Sequence, residues 1–484
     1  MARVQKQYHQ PDFVLYFTVL ALTAIGIITV YSASTVISLE NGMSATHFAS
    51  RQLFAGGLGV IAMTALMFVP YQFFYKHAAK IIVVAIFLLF IVLIPGIGSK
   101  ASGSRRWIGA SGLHLQPSEF AIVALILYLA FFFTKKVTLL QSFKQGLRPA
   151  LMVITICGGL VLLEPDLGTA FTMIATGFVL VFASGIRLKP ILISLGIATP
   201  LLYIFVHMAK YRSNRLMVYF HPFRHPQHAY QLINGLTGIS AGGWFGRGFD
   251  MSVEKAGYLP IPQADFIFAV FTEEWGFVGA AALLAIFGVL IWRGFRISRY
   301  SRDRFGALLS VGITGLIVIE TFVNLGAVTW LLPVTGIPLP FISYGGTSLL
   351  VLLIASGLLL SVSRQTLDEA PEADELADVV YVEDVLQQRV QRPEPRRAKT
   401  SNRTSGAPRK SPTAKAGKVE PIRREQPSRW GTKTTDTANH RERSKNSSAR
   451  PSATVQTTWR QRNQAYSSKS IAPKPTPNPK KRPR

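Results

Sequence analysis

The chain has 484 residues, of which 49% are hydrophobic and only 16% charged, with a mean hydropathy of +0.28. That balance excludes an ordinary set of soluble domains and points to a membrane protein with a polar appendage. The net charge of +27 does not mark a nucleic-acid binder, because 26 Lys and Arg against 5 Asp and Glu fall after residue 388, which places +21 in the tail.

The chain divides into a short N-terminus (1–12), an apolar body (13–363) and a polar tail (364–484). Within the body the runs predict an all-α polytopic membrane protein of about ten spans, near 13–34, 52–69, 80–97, 119–134, 149–163, 168–185, 189–208, 266–292, 306–329 and 341–362. The start Met-Ala-Arg-Val-Gln-Lys runs into the first span without a small-residue cleavage site, so that span reads as uncleaved. Lys and Arg collect in alternate connections, such as Lys135, Lys136, Lys144 and Arg148, and Arg293 to Arg304. By the positive-inside rule both termini are then cytoplasmic. The single cysteine, Cys157, sits in an apolar run as a small core residue and forms no intramolecular disulfide.

Two connections predicted to be extracytoplasmic, about 98–118 and 209–265, carry basic residues against that rule. The first sets glycines and serines around Arg105, Arg106 and Trp107, and paired guanidinium groups on flexible backbone suit a phosphate. Trp107 is either an interfacial anchor or a stacking surface for a sugar. Pro117-Ser118-Glu119 then starts a helix, with Ser118 as the expected cap. Between the fifth and sixth spans, Glu164-Pro165-Asp166-Leu167-Gly168 is a tight turn whose Asp166 is placed to cap the next helix. The loop 209–265, with Arg212, Arg215, His221, His225 and His228, lacks an ordered ligand spacing for zinc. It ends in a glycine-rich run, Ala241 to Gly248, which is no dinucleotide fingerprint because no strand precedes it.

Lys255 to Trp275 carries three acids at the mouth of an apolar run. Pro260 and Pro262 keep the approach extended, so a helix is expected to begin at or just before Asp265. Glu273 and Glu274 follow about two and a half turns later, a costly depth for acids in lipid unless other spans pair with them. The uncharged stretch Leu332 to Ser348, including Ser343, Tyr344 and Gly345, would break a helix, and such backbone is tolerated at membrane depth only where protein or a cavity covers it. It is therefore expected to line a site, with a helix start at Ser343 as the plainer alternative. From Asp368 to Asp384 the chain turns acidic with a hint of amphipathic helix, and the basic remainder has the composition of a disordered segment that touches anionic lipid or docks a partner.

Taken together, Ser104-Arg105-Arg106-Trp107-Ile108, Gln116-Pro117-Ser118-Glu119, Glu164-Pro165-Asp166-Leu167-Gly168, Gly246-Arg247-Gly248, Asp265-Phe266-Ile267-Phe268 with Glu273-Glu274, and Pro338 to Gly346 resemble the shape, elongation, division and sporulation family over roughly residues 13–363. The long tail and Leu332 to Gly336 are more similar to its cell-division branch than to its elongation branch. The resemblance implies a peptidoglycan glycosyltransferase that polymerises lipid II, the undecaprenyl-pyrophosphate-linked disaccharide peptide, outside the cytoplasmic membrane. Implied partners are a class B penicillin-binding protein and the divisome, with placement at the septum. Asp265 matches the family's essential aspartate. Gln263-Ala264-Asp265-Phe266 departs from the commoner His-Thr-Asp-Phe, which keeps the acid and removes a histidine and a hydroxyl.

Glycosyl transfer from a lipid pyrophosphate needs a base for the acceptor hydroxyl and positive charge for the leaving group. Asp265 is the expected base, acting on the acceptor's 4-hydroxyl with inversion at the anomeric carbon. Arg105, Arg106, Lys255, Arg212 and Arg215 are candidates for the pyrophosphate, with a divalent cation (Mg or Mn) as a further candidate. Trp107, Glu119, Glu164, Asp166, Glu273, Glu274, Ser343, Tyr344 and Gly345 complete the expected site. A lipid II flippase is the rival from another class, since buried acids and a broken Pro-Gly segment also suit a transporter. A third alternative is a membrane scaffold whose tail recruits division proteins.

Overall fold

The computed structural model describes residues 9–367 except 96–97, 102–103, 110–114, 188, 195, 197–199, 201–216, 225 and 260. Ten helices of 16 residues or more lie within them: α1 (Phe13–Glu40), α2 (His47–Phe68), α3 (Gln72–Leu93), α4 (Pro117–Lys135), α5 (Arg148–Leu163), α6 (Leu167–Ala183), α7 (Pro226–Gly242), α8 (Ile267–Arg299), α9 (Arg304–Val328) and α10 (Gly346–Ser363). Eight apolar segments are long enough to cross a membrane, α5 being lengthened by a π-helical turn at Phe143–Leu147, and α6 is a shorter apolar helix of 17 residues. Nine of the ten expected spans are thereby accounted for. The tenth, 189–208, falls largely outside the described residues, as do the acidic stretch and the basic tail beyond 367.

Burial sorts the spans into an inner and an outer set. The apolar windows of α4, α9 and α10 are 72%, 72% and 78% buried, against 28% to 39% for α1, α2, α3 and α8, so the first three form the centre and the others face outward. Lipid tails offer no hydrophobic reward for helix association, so close backbone approach carries the packing. Gly59 of α2 meets Leu353 of α10, and Gly357 of α10 lies against the Met63 backbone of α2. A Cβ at Gly357 would stand 2.8 Å from the Met63 carbonyl oxygen.

Acids fix the helix starts at one face of the bundle. Asp12 caps α1 by accepting from the Leu15 amide at 3.0 Å, and its other oxygen pairs with Arg293 of α8 at 2.6 Å. Asp303 caps α9 through the Gly306 amide (2.7 Å) and accepts from the Tyr71 hydroxyl (2.6 Å). The arginines 293, 296, 299, 302 and 304 cluster at this face.

Several local expectations are corrected. The loop 98–118 contains an antiparallel hairpin, β1 (Ser99–Ala101) and β2 (Ser104–Trp107), and the loop 209–265 contains α7. Pro117 occupies the first turn of α4 and the cap position is Gln116, so Ser118 lies inside the helix and is not its cap. The last span starts at Gly346, not at Ser343.

Candidate functional site

The chain around Asp265 is held by backbone, not by a helix cap. α8 begins at Ile267, and the residue at its cap position is Phe266, so Asp265 stands just outside the helix, half-buried. Three neighbours fix the loop that carries it. Asn324 of α9 donates from Nδ2 to the Asp265 carbonyl (3.0 Å) and to the Ile337 carbonyl (2.8 Å). Ser343 donates from Oγ to the Ala264 carbonyl (2.8 Å), while the Tyr344 amide donates to the Gln263 carbonyl (2.9 Å). Gln263 and Ala264, which replace the commoner His-Thr, thus contribute carbonyls to the scaffold.

The segment 332–348 is itself braced from below. Gln52 of α2, fully buried, donates to the Ser343 carbonyl (3.1 Å) and accepts from the Gly345 amide (3.2 Å). Phe341 has φ +63°, and its carbonyl presses on α1 where Gly26 leaves room. Tyr344 packs edge-on against Phe48 at 5.0 Å. The expectation that this uncharged segment lines a site takes a specific form: Ser343 and Gly345 spend their hydrogen bonds inside the protein, positioning the loop of Asp265.

A second acidic turn abuts the same segment. Asp166 caps α6 by accepting from the Thr169 amide (3.1 Å), as the sequence suggests, and its other oxygen accepts from Arg106 (2.7 Å) and Gln116 (3.4 Å). The next residue but one, Gly168, packs on the Thr335 carbonyl and the Ile337 side chain, so the Asp166 turn and the Asp265 loop share one wall. Arg106 lies 6.0 Å from the centre of the half-buried Trp107 ring and keeps 31% of its side chain exposed, leaving donors for an anion. Arg105 lies on β2, but its side chain falls outside the described residues, as do Arg212 and Arg215.

Glu164 is fully buried and neither oxygen has a hydrogen-bond partner among the described residues. Burial first, and the Asp166 charge second, push its carboxyl up to about 8 against the opposing pull of Arg106. Glu119, in the first turn of α4, lies within electrostatic reach of Asp166 and Arg106 and of the buried Glu320 on α9, one turn from Asn324.

Lys255 departs from its expected role. Its ammonium is buried among Asp250, Glu274 (3.1 Å) and Ser32 (3.0 Å). Two carboxylates neutralise that charge, so a pyrophosphate would find no free cation there. Glu273 accepts from Ser252 (2.6 Å) and from the Val253 amide (3.0 Å), and pairs with Arg247 at 3.4 Å. Both glutamates are therefore structural clamps between the 250–255 segment, α1 and α8.

They also lie at a boundary instead of mid-membrane. From the Asp12–Arg293 pair to the Ser32–Glu274 hydrogen bond, the unbroken α1 runs about 30 Å at 1.5 Å per residue, one hydrocarbon thickness. Asn324 stands a similar distance, about 32 Å, along α9 from Asp303. Asp265 and Glu274 thus share the face opposite the arginines, and the helical stretch between them crosses the top of the bundle.

At Gly276 α8 breaks, with φ +68° and ψ −170°. The glycine-rich run repairs the break: the amides of Phe277 and Val278 donate to the carbonyls of Gly243 (2.9 Å) and Trp244 (3.1 Å), and the Arg247 and Gly248 amides donate to those of Glu273 (2.9 Å) and Glu274 (3.0 Å). This is the purpose of Ala241 to Gly248 that no nucleotide motif explained.

Among the described residues no group of three or more His, Cys, Asp or Glu is placed to hold a metal ion. Sequence reasoning missed Asn324, Gln52, Ser32 and Glu320. Their signal was a polar side chain inside an apolar run, which in lipid calls for a partner.

The family described as "Cell cycle protein", FtsW/RodA/SpoVE, matches residues 13–368. Stage V sporulation protein E of Bacillus subtilis is 42% identical over 356 residues, covering 73% of this chain and 97% of that protein. A protein called probable peptidoglycan glycosyltransferase FtsW from Trichlorobacter lovleyi is 41% identical over 354 residues, covering 73% and 93%. Among solved structures, a chain of a peptidoglycan synthase complex that coordinates polymerization and crosslinking aligns with TM-score 0.61 and 28% identity, over 74% of this chain and 99% of that one. The rod shape determining protein RodA of Thermus thermophilus aligns with TM-score 0.55 and 28% identity, over 74% and 98%. The chain is a polytopic membrane protein and belongs to the FtsW/RodA/SpoVE family.

Proposed function

We propose that the chain is a peptidoglycan glycosyltransferase that polymerises lipid II, with Asp265 as general base. The observation that carries it is the placement of a half-buried carboxylate on a loop fixed by Asn324, Ser343 and Tyr344, one hydrocarbon thickness from the arginine-rich face. With the arginines cytoplasmic by the positive-inside rule, Asp265 faces the outer headgroup layer, the depth of a lipid-linked pyrophosphate. Asp265 takes the proton of the acceptor's 4-hydroxyl, the oxygen attacks the anomeric carbon, and the bond to pyrophosphate breaks with inversion. Arg106, held by Asp166 yet exposed, meets the charge on the departing phosphate.

The flippase alternative loses its main support, because Glu273 and Glu274 are tied into a fixed network with Arg247, Ser252, Ser32 and Lys255. A class B penicillin-binding protein is the proposed partner, and septal wall synthesis the proposed setting. Purified protein, given labelled lipid II with that partner present, is expected to form glycan strands. Lipid II crossing vesicle membranes without polymer would instead support the flippase.

A further inference from the structure

We propose that residues 243–251 form an interfacial wedge, anchored by Trp244 and Phe245, that lies in the headgroup layer of the membrane beside the break in α8. Four large apolar side chains of this short segment are exposed: Trp244 (68%), Phe245 (83%), Phe249 (44%) and Met251 (66%). A loop in water has no reason to present such a set.

The lipid-facing surface of α8 says what covers them. Phe277 and Val278, at the start of its second half, are 58% and 49% exposed, and the Trp244 ring packs edge-on against Phe277 at 5.2 Å. Phe277 stands about 24 Å from Arg293 along the helix, just inside the edge of the hydrocarbon. Trp244 must share that depth. Tryptophan is the residue most at home there, and the half-exposed Arg247, paired with Glu273, supplies the charge expected at headgroup level.

Irregular backbone enters that zone only if its polar groups are satisfied. Four hydrogen bonds across the Gly276 break satisfy backbone groups on both sides of the contact. The glycines permit it by close approach, since a Cβ at Gly246 would stand 2.1 Å from the Glu274 carbonyl oxygen. The wedge therefore ties the break in α8, and through it the stretch leading back to Asp265, to the level of the membrane surface.

The test uses full-length protein in liposomes of phosphatidylethanolamine and phosphatidylglycerol. A Phe245→Cys variant carries a polarity-sensitive fluorophore, with the unsubstituted protein as labelling control because Cys157 is buried. Loss of most of the emission to nitroxides placed shallowly on lipid chains, with protection from aqueous iodide, is expected. Quenching by iodide and not by lipid nitroxides would overturn the proposal. So would shielding from both that arises only on adding the penicillin-binding protein, which would assign the patch to a protein partner. In unlabelled protein, brominated lipids should quench less tryptophan emission after Trp244→Phe than before, and an unchanged loss would also count against the wedge.

Discussion

Asn324 holds Asp265 by its backbone: one side-chain amide bridges the carbonyls of Asp265 and Ile337, joining the loop before α8 to the segment between α9 and α10. Replacing Asn324 by alanine leaves two carbonyls without their donor, at a cost of about 1–3 kcal/mol. Because the amide positions the loop through these backbone carbonyls, Asn324→Ala should lower kcat with little change in KM for lipid II. Steady-state polymerisation kinetics check this, and a change confined to KM would contradict it.

Gly276 and Gly246 face each other across the break in α8. A Cβ at Gly276 would stand 2.3 Å from the Gly246 nitrogen, and its φ +68°, ψ −170° belongs to a region reserved almost wholly for glycine. Gly276→Ala is expected to destabilise by at least about 1–3 kcal/mol, seen as a lower Tm in detergent. Gly288, with open space around its Cβ position, is the control whose alanine variant should melt normally.

Much of this was legible beforehand, and for identifiable reasons. The spans read clearly because hydrocarbon thickness imposes length and composition together. Asp166 as a cap and the covered Pro-Gly segment followed from local chemistry. What stayed hidden depended on distant partners: Lys255 looks like an anion ligand until Glu274 and Asp250 are found beside it, and the glycine run has no meaning without the break 30 residues later. Helix α7 was lost because its polar, glycine-containing sequence reads as loop.

The Lys255 cluster gives a double-mutant test. Lys255→Met strips the buried Glu274 of its cation and should cost about 3–5 kcal/mol. Adding Glu274→Gln should recover a large part of that loss in thermal melts. Additive losses would mean the two residues do not act as a pair.

Glu164 predicts a dependence on pH. Its folded-state carboxyl, at about 8, holds its proton across a range where the unfolded chain, near the ordinary 4.5, has released it. Folded protein therefore binds more protons between these values, and stability falls as pH rises through that window, with the full penalty present above about 8. Glu164→Gln should raise Tm at pH 9 more than at pH 5. Parallel melting curves for the two proteins would show that Glu164 is ionised in the folded state.

The most direct measurement concerns Asp265 itself. Asp265→Asn keeps the shape of the side chain and leaves the carbonyl held by Asn324 in place, while removing the base. With purified protein, its penicillin-binding partner and labelled lipid II, the variant should remain folded and bind lipid II, yet form no glycan strands. Polymer at the unsubstituted rate would contradict the assignment of Asp265 as the catalytic base.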